Sequence, residues 1–145
     1  MEIVIFIGIQ ATGKSSFFKS RFADTHVRIN LDMLRTRHRE RCLFQACLES
    51  SIPCVIDNTN VTKADRSPYV EMAREAGIPI VGYFFKSVLG DALDRNRMRS
   101  GRERIPDLGL RNASTRLELP TLDEGFDNLY FVSLPGQGFC VDEWH

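Results

Sequence analysis

The chain has 145 residues, 43% apolar and 26% charged, which is ordinary single-domain size and enough to bury a core. The composition excludes a low-complexity protein, and no apolar run approaches the length of a membrane span. Formal net charge is zero, which argues against a large nucleic-acid footprint, but all 19 Lys and Arg lie at or before Arg116 and six acids follow it, so one face can still be basic.

The first element is a continuous apolar run, Ile3 to Ile7, as expected of a parallel strand buried on both faces. It leads into Gly8-Ile9-Gln10-Ala11-Thr12-Gly13-Lys14-Ser15, which fits G-x-x-x-x-G-K-[ST], the phosphate-binding P-loop. The apolar run has no basic segment before it and enters this loop directly, so no signal peptide is expected and the cytoplasm is the expected location. A helix from Lys14 follows, with Phe18 and Phe22 at i,i+4 spacing. A polyphosphate needs many donors and positive potential, and successive backbone N–H groups at a helix start supply both. Gly8, Gln10, Ala11, Thr12, Gly13, Lys14, Ser15 and Ser16 are therefore the expected ATP-binding residues. Lys14 is expected to reach the β- and γ-phosphates and the Ser15 hydroxyl to bind Mg²⁺.

His26 to Asn30 reads as a second strand, with Asp32 beyond its C-terminal end. A helix is expected from Met33 to Ser50, carrying Arg35, Arg37, Arg39 and Arg41 on two faces. Pro53 to Asp57 is a third strand ending in an acid, and Asn58-Thr59-Asn60 a loop. Ser67-Pro68 reads as an N-cap and first turn of a helix ending at Ala76, with Gly77 as its stop. Ile80 to Phe85 is a fourth strand, with Phe84 and Phe85 expected in the core. Asp91 to Ser100 reads as a polar helix in which Asp91 pairs with Arg95, followed by an exposed loop from Arg102 to Asp107 and a short helix from Leu110 to Leu117. Leu129 to Val132 is the last expected strand. Residues 1–134 form the expected domain, with a lid near 95–107 and a loosely attached tail over 135–145. Cys42, Cys47, Cys54 and Cys140 contain no C-x-x-C pair, so free thiols are expected.

Alternating strands and helices specify an α/β fold with a parallel sheet, whose ligands collect outside the carboxyl ends of the strands. Gly8, Asp32 and Asp57 stand at three such ends. Asp32 is placed either as a general base for an acceptor hydroxyl or as a helix N-cap. Asp57 is placed either to hold Mg²⁺ through water or to pair with an arginine such as Arg35. In the lid, Arg97 points opposite to Arg95 and Arg99, and with Arg95 assigned to Asp91 it is the cleaner phosphate clamp.

Three blocks carry a resemblance: Ile29-Asn30-Leu31-Asp32; Val55 to Asn60 with Arg66 and Tyr69-Val70; and Pro120-Thr121-Leu122-Asp123-Glu124-Gly125-Phe126. With the P-loop, they resemble the 5′-kinase domain of polynucleotide kinase–phosphatases, from about Ile3 to Val132, and most of all its short, stand-alone bacterial AAA-type relatives. The phosphatase domain is expected to be absent. The resemblance implies a P-loop NTPase kinase fold, a five-stranded parallel sheet with the P-loop strand central and helices on both faces. It implies Asp32 as general base for a 5′-hydroxyl, Arg35 as a holder of the acceptor phosphate, and Asn96-Arg97 as the lid pair. Leu31 stands where the family often has Arg, and Ala11-Thr12 where it has Gly-Ser or Gly-Ala. The expected activity is transfer of the ATP γ-phosphate to a polynucleotide 5′ end. The alternatives are a kinase of a small hydroxylated metabolite or nucleoside, and a regulatory or toxin-like ATPase.

Overall fold

A computed structural model describes residues 1–135 and 138–144. The elements in chain order are β1 (Ile3–Ile7), α1 (Lys14–Arg21), β2 (Val27–Ile29), α2 (Leu31–Leu34), α3 (Arg37–Ser50), β3 (Cys54–Ile56), α4 (Lys63–Ala76), β4 (Ile80–Phe85), α5 (Leu89–Arg97), α6 (Asp107–Arg116), β5 (Asn128–Ser133) and β6 (Cys140–Glu143). Short 3₁₀ turns lie at Gly101–Glu103 and Leu122–Glu124. The sheet order is β2-β3-β1-β4-β5-β6. The first five strands are parallel with β1 at their centre, and β6 runs antiparallel on the edge of β5.

All five residues of β1 are fully buried, and the period-two rule divides them between two cores. Ile3, Ile5 and Ile7 pack with Phe44 of α3 and Tyr69, Val70 and Ala73 of α4. Val4 and Phe6 pack with Phe17, Phe18 and Phe22 on the other face, together with Phe85. A third cluster joins the lid helices to the P-loop: Ala92, Leu93, Leu110 and Ala113 pack on Ile9, Ala11 and Val61. The segment expected as a lid is thus packed through apolar side chains on the loop it flanks.

Four expectations change. The helix expected from Met33 to Ser50 is two helices, because Arg35 takes φ 78° and Thr36 caps α3 by accepting from Arg39 N. The helix expected to start at Ser67-Pro68 starts at Lys63, where Thr62 and Asp65 form a reciprocal capping box and leave Pro68 inside α4. The lid helix begins and ends earlier than expected, at Leu89 and Arg97. The sheet has six strands rather than five, since Cys140–Glu143 pairs with β5 instead of hanging loose. Trp144 stacks against Phe84 and Phe131, and its Nε1 donates to Pro120 O at 2.9 Å. Residues 136, 137 and 145 of the expected tail lie outside the described residues. Among the described residues no helix is long and apolar enough to cross a membrane.

Candidate active site

The P-loop is fastened from behind. Gly8 N donates to Thr59 O at 2.9 Å and Ile9 N to Ser87 Oγ at 3.1 Å. A Cβ on Gly8 would lie 3.0 Å from Phe85 Cβ and 3.2 Å from Phe85 O, so β4 excludes any side chain there. Gly13 caps α1 with φ 96°, and Leu134 and Phe139 close over its empty side. Ala11 carries φ 61°, which costs a residue with a Cβ about 1–2 kcal/mol. Thr12 Oγ1 helps to hold that shape by donating to Ile9 O at 2.8 Å. Gln10 Oε1 is buried without a partner among the described residues.

Lys14 Nζ donates to Gly8 O at 2.8 Å and Ile9 O at 2.7 Å, filling the loop it encloses. Burial lowers its pKa to about 8; Asp57 raises it, Arg99 lowers it and Asp32 raises it. Both acids named from strand ends therefore act on the P-loop lysine, which is the convergence the strand order predicts.

Asp57 is 2% exposed and accepts from Arg28 Nε at 2.8 Å. Arg28 Nη2 in turn donates to Ser15 Oγ at 3.0 Å. The arginine on Asp57 is therefore Arg28, not Arg35. One carboxylate with one hydroxyl is a donor set that Mg²⁺ accepts with waters completing its shell. Ser15 and Asp57 thus fit a divalent ion.

Asp32 lies in the first turn of α2 and is exposed. The cap of that helix is Asn30, whose Oδ1 accepts from Met33 N at 2.9 Å, so the capping role does not fall to Asp32. Asp32 has no hydrogen bond or ion pair among the described residues. Its turn is held from below: Asn30 Nδ2 donates to Asp57 O at 2.7 Å, and Leu31 N donates to Asn58 Oδ1 at 2.8 Å. Asn58 Nδ2 donates to the buried Glu40, which also accepts from Tyr69 Oη and Arg37 Nη1. Burial and Glu40 push the Tyr69 phenol well above its ordinary pKa. Arg35 stands exposed at the break after α2.

Arg66 is fully buried. It forks onto Glu124 at 2.8 and 3.1 Å and donates to the carbonyls of Asn60 and Val61. Asn60 Nδ2 reaches Phe6 O at 2.8 Å. The second and third resemblance blocks therefore form one brace beneath the P-loop.

In the lid, Asp91 does not hold Arg95. Arg95 Nη1 donates to Ala11 O at 3.3 Å, whereas Arg97 pairs with Asp94 at 3.0 Å on the exposed side. Arg99 Nη1 donates to Glu103 O at 3.3 Å, and its charge adds to the lowering of the Lys14 pKa. Arg95, not Arg97, is turned to the loop. Asn96 is buried and bonds both ways with Ile105, closing the lid turn. A polar cleft lined by Thr12, Lys86, Asp91, Arg95, Ser133 and Leu134 opens beside the loop.

Sequence reasoning missed Arg28, Glu40 and the turn of the lid. Arg28 was hidden in a short strand where alternation is unreadable, and Glu40 in a charged run that looks solvated. The acids themselves, Asp32 and Asp57, were visible because each stands beyond the C-terminal end of an expected strand.

The AAA domain family matches residues 3–120, which is most of the chain and includes the loop, both acids and the lid. The chain belongs to the AAA domain family. It is 31% identical over 99% of its length to the bifunctional polynucleotide phosphatase/kinase of Schizosaccharomyces pombe, and it spans 36% of that protein. Among solved structures it is similar to Chaetomium thermophilum Kti12 in complex with ADP-AlF3, with TM-score 0.65, 15% identity, and 92% of this chain and 89% of that one covered. It is also similar to a sugar kinase from Janibacter sp., with TM-score 0.70, 14% identity and coverage of 94% and 87%. At these identities the structural likenesses establish the fold, that of the P-loop kinases. This AAA domain chain thus has a P-loop kinase fold with Gly8, Asp57 and Asp32 beyond the carboxyl ends of its parallel strands.

Proposed function

We propose that the chain is an ATP-dependent kinase that transfers the γ-phosphate to a 5′-hydroxyl of a polynucleotide. The observation that carries the reading is Asp32, an exposed carboxylate with no partner among the described residues, on a turn held rigid from below and close enough to act on Lys14. A base must be free to accept a proton and fixed in position, and the two demands meet there. Support for the acceptor comes from the 31% identity with the yeast polynucleotide phosphatase/kinase.

In this reading Lys14 and the backbone of Gly8 to Ser16 hold the triphosphate. Ser15 and Asp57 would hold Mg²⁺, which when bound offsets charge on the β- and γ-phosphate oxygens. Asp32 takes the proton of the acceptor hydroxyl, and Arg35 binds the acceptor's phosphate. The clamp placed on Arg97 passes to Arg95, whose guanidinium already contacts Ala11 O, whereas Arg97 is paired with Asp94. The zero net charge favours a second reading, a kinase of a small hydroxylated substrate on the same site.

The test is transfer of label from γ-labelled ATP to 5′-hydroxyl oligonucleotides. Labelled oligonucleotide is expected from the wild type and none from Lys14→Ala or Asp32→Ala. Label on a metabolite pool but on no oligonucleotide supports the second reading. ATP hydrolysis indifferent to Asp32→Ala and to every acceptor contradicts both and leaves a regulatory or toxin-like ATPase.

A further inference from the structure

Arg28 has a place in the site that no reading of the P-loop anticipates. Its guanidinium contacts Ser15 Oγ and Asp57 Oδ2 together, at 3.0 and 2.8 Å. The Asp57 carboxylate is buried, and a buried ionised group requires a countercharge. Arg28 supplies it from the solvent side: its side chain is 26% exposed, and its head lies 5.8 Å from the Phe18 ring centroid. Magnesium held at about 2.0–2.1 Å on the Ser15 hydroxyl and beside Asp57 would stand against the guanidinium that now contacts both groups, cation against cation. Two cations cannot share that position.

We propose that Arg28 is the resident counter-cation of the divalent-ion position, so that metal loading exchanges a guanidinium for the ion on Ser15 and Asp57. The proposal rests on reading those two residues as the metal-holding pair. Arg28 keeps the carboxylate paired and the site assembled before loading. It also lowers the apparent affinity for the ion, because the competent arrangement is only part of the population. The released guanidinium moves toward solvent beside α1.

The experiment is Mn²⁺ binding to the nucleotide-free protein by electron paramagnetic resonance, with thermal melting in EDTA and in Mn²⁺. Arg28→Met is expected to bind Mn²⁺ about tenfold more tightly than the wild type. Its melting temperature in EDTA is expected to fall below that of the wild type and to be recovered by Mn²⁺. Equal or weaker binding by Arg28→Met overturns the exchange. If that variant does not fold, Arg28→Lys answers instead. It keeps a charge on Asp57 but cannot fork to Ser15, so it is expected to bind Mn²⁺ more tightly by a smaller factor, and unchanged binding overturns the proposal. Asp57→Asn separates the two levels. If it leaves Mn²⁺ binding unchanged, the Ser15–Asp57 pairing itself fails and the exchange with it. If it abolishes binding while Arg28→Met matches the wild type, the pairing stands and the exchange is wrong.

Discussion

Lys14 is the residue whose surroundings set a measurable pH dependence. Burial brings its pKa down from 10.5 to about 8, so the empty loop holds an ammonium that it only weakly favours. A bound triphosphate restores the preference for the charged form. Nucleotide binding at pH 8 is therefore expected to take up part of a proton, and affinity to fall as pH rises past 8. Calorimetry in buffers of different ionisation enthalpy reads the uptake, and Lys14→Met removes it. The stability sign follows from the same shift. The folded pKa lies below the unfolded one, so the unfolded chain binds more protons between about 8 and 10.5, and this group's contribution to the stability of the empty protein rises with pH across that window. Arg35 sets a second expectation. Its φ of 78° strains a residue with a Cβ, so Arg35→Gly is expected to stabilise the fold by about 1 kcal/mol in denaturant melts. If Arg35 holds the acceptor phosphate, the same variant raises the acceptor KM with nucleotide affinity kept.

At the scale of elements, the P-loop depends on a brace remote from it in sequence. Arg66 on α4 is fully buried and is neutralised by Glu124 of the 3₁₀ turn before β5. Removing one partner leaves a buried charge, so Glu124→Gln is expected to cost about 3 kcal/mol, read as a lowered denaturation midpoint. A loss under 1 kcal/mol would mean that the carbonyls of Asn60 and Val61 suffice. What was legible in the sequence divides along these elements. β1 and β4 announced themselves as unbroken apolar runs, and Gly77 stopped α4 as expected. The start of α4 was misplaced because Ser67-Pro68 is a plausible cap taken alone, while the Thr62–Asp65 box, with its cap five residues earlier, had already satisfied the free donors. Arg95 was misassigned because i,i+4 spacing permits a pair with Asp91 but does not compel it. The packing of α5 on Ile9 and Ala11 turns Arg95 to the loop instead.

At the scale of the molecule, the sheet is closed on one side by the strand that sequence reading took for a loose tail. Cys140–Glu143 is too short for alternation to be legible; Val141 packs on the core, and the residues flanking the strand add further apolar contacts. Phe139 meets Phe17 at 5.0 Å between ring centroids and stands against Gly13, and Trp144 covers Phe84 and Phe131. Truncation after Leu134 is therefore expected to lower the melting temperature and to weaken nucleotide binding, since it uncovers both a core face and the back of the P-loop. A truncated chain as stable as the full one would return these residues to a tail. Trp144, the sole tryptophan, reports docking of this strand by its emission. The whole arrangement places the phosphate loop, Asp57 and Asp32 at the carboxyl ends of the parallel strands, and the proposed transfer turns on whether Asp32 takes a proton there. The direct measurement is single-turnover transfer of γ-labelled phosphate to a 5′-hydroxyl oligonucleotide by wild type and Asp32→Asn, with nucleotide affinity measured on the same samples. The rate is expected to fall at least about 100-fold with affinity retained; transfer by Asp32→Asn at the wild-type rate contradicts the role of Asp32 as base.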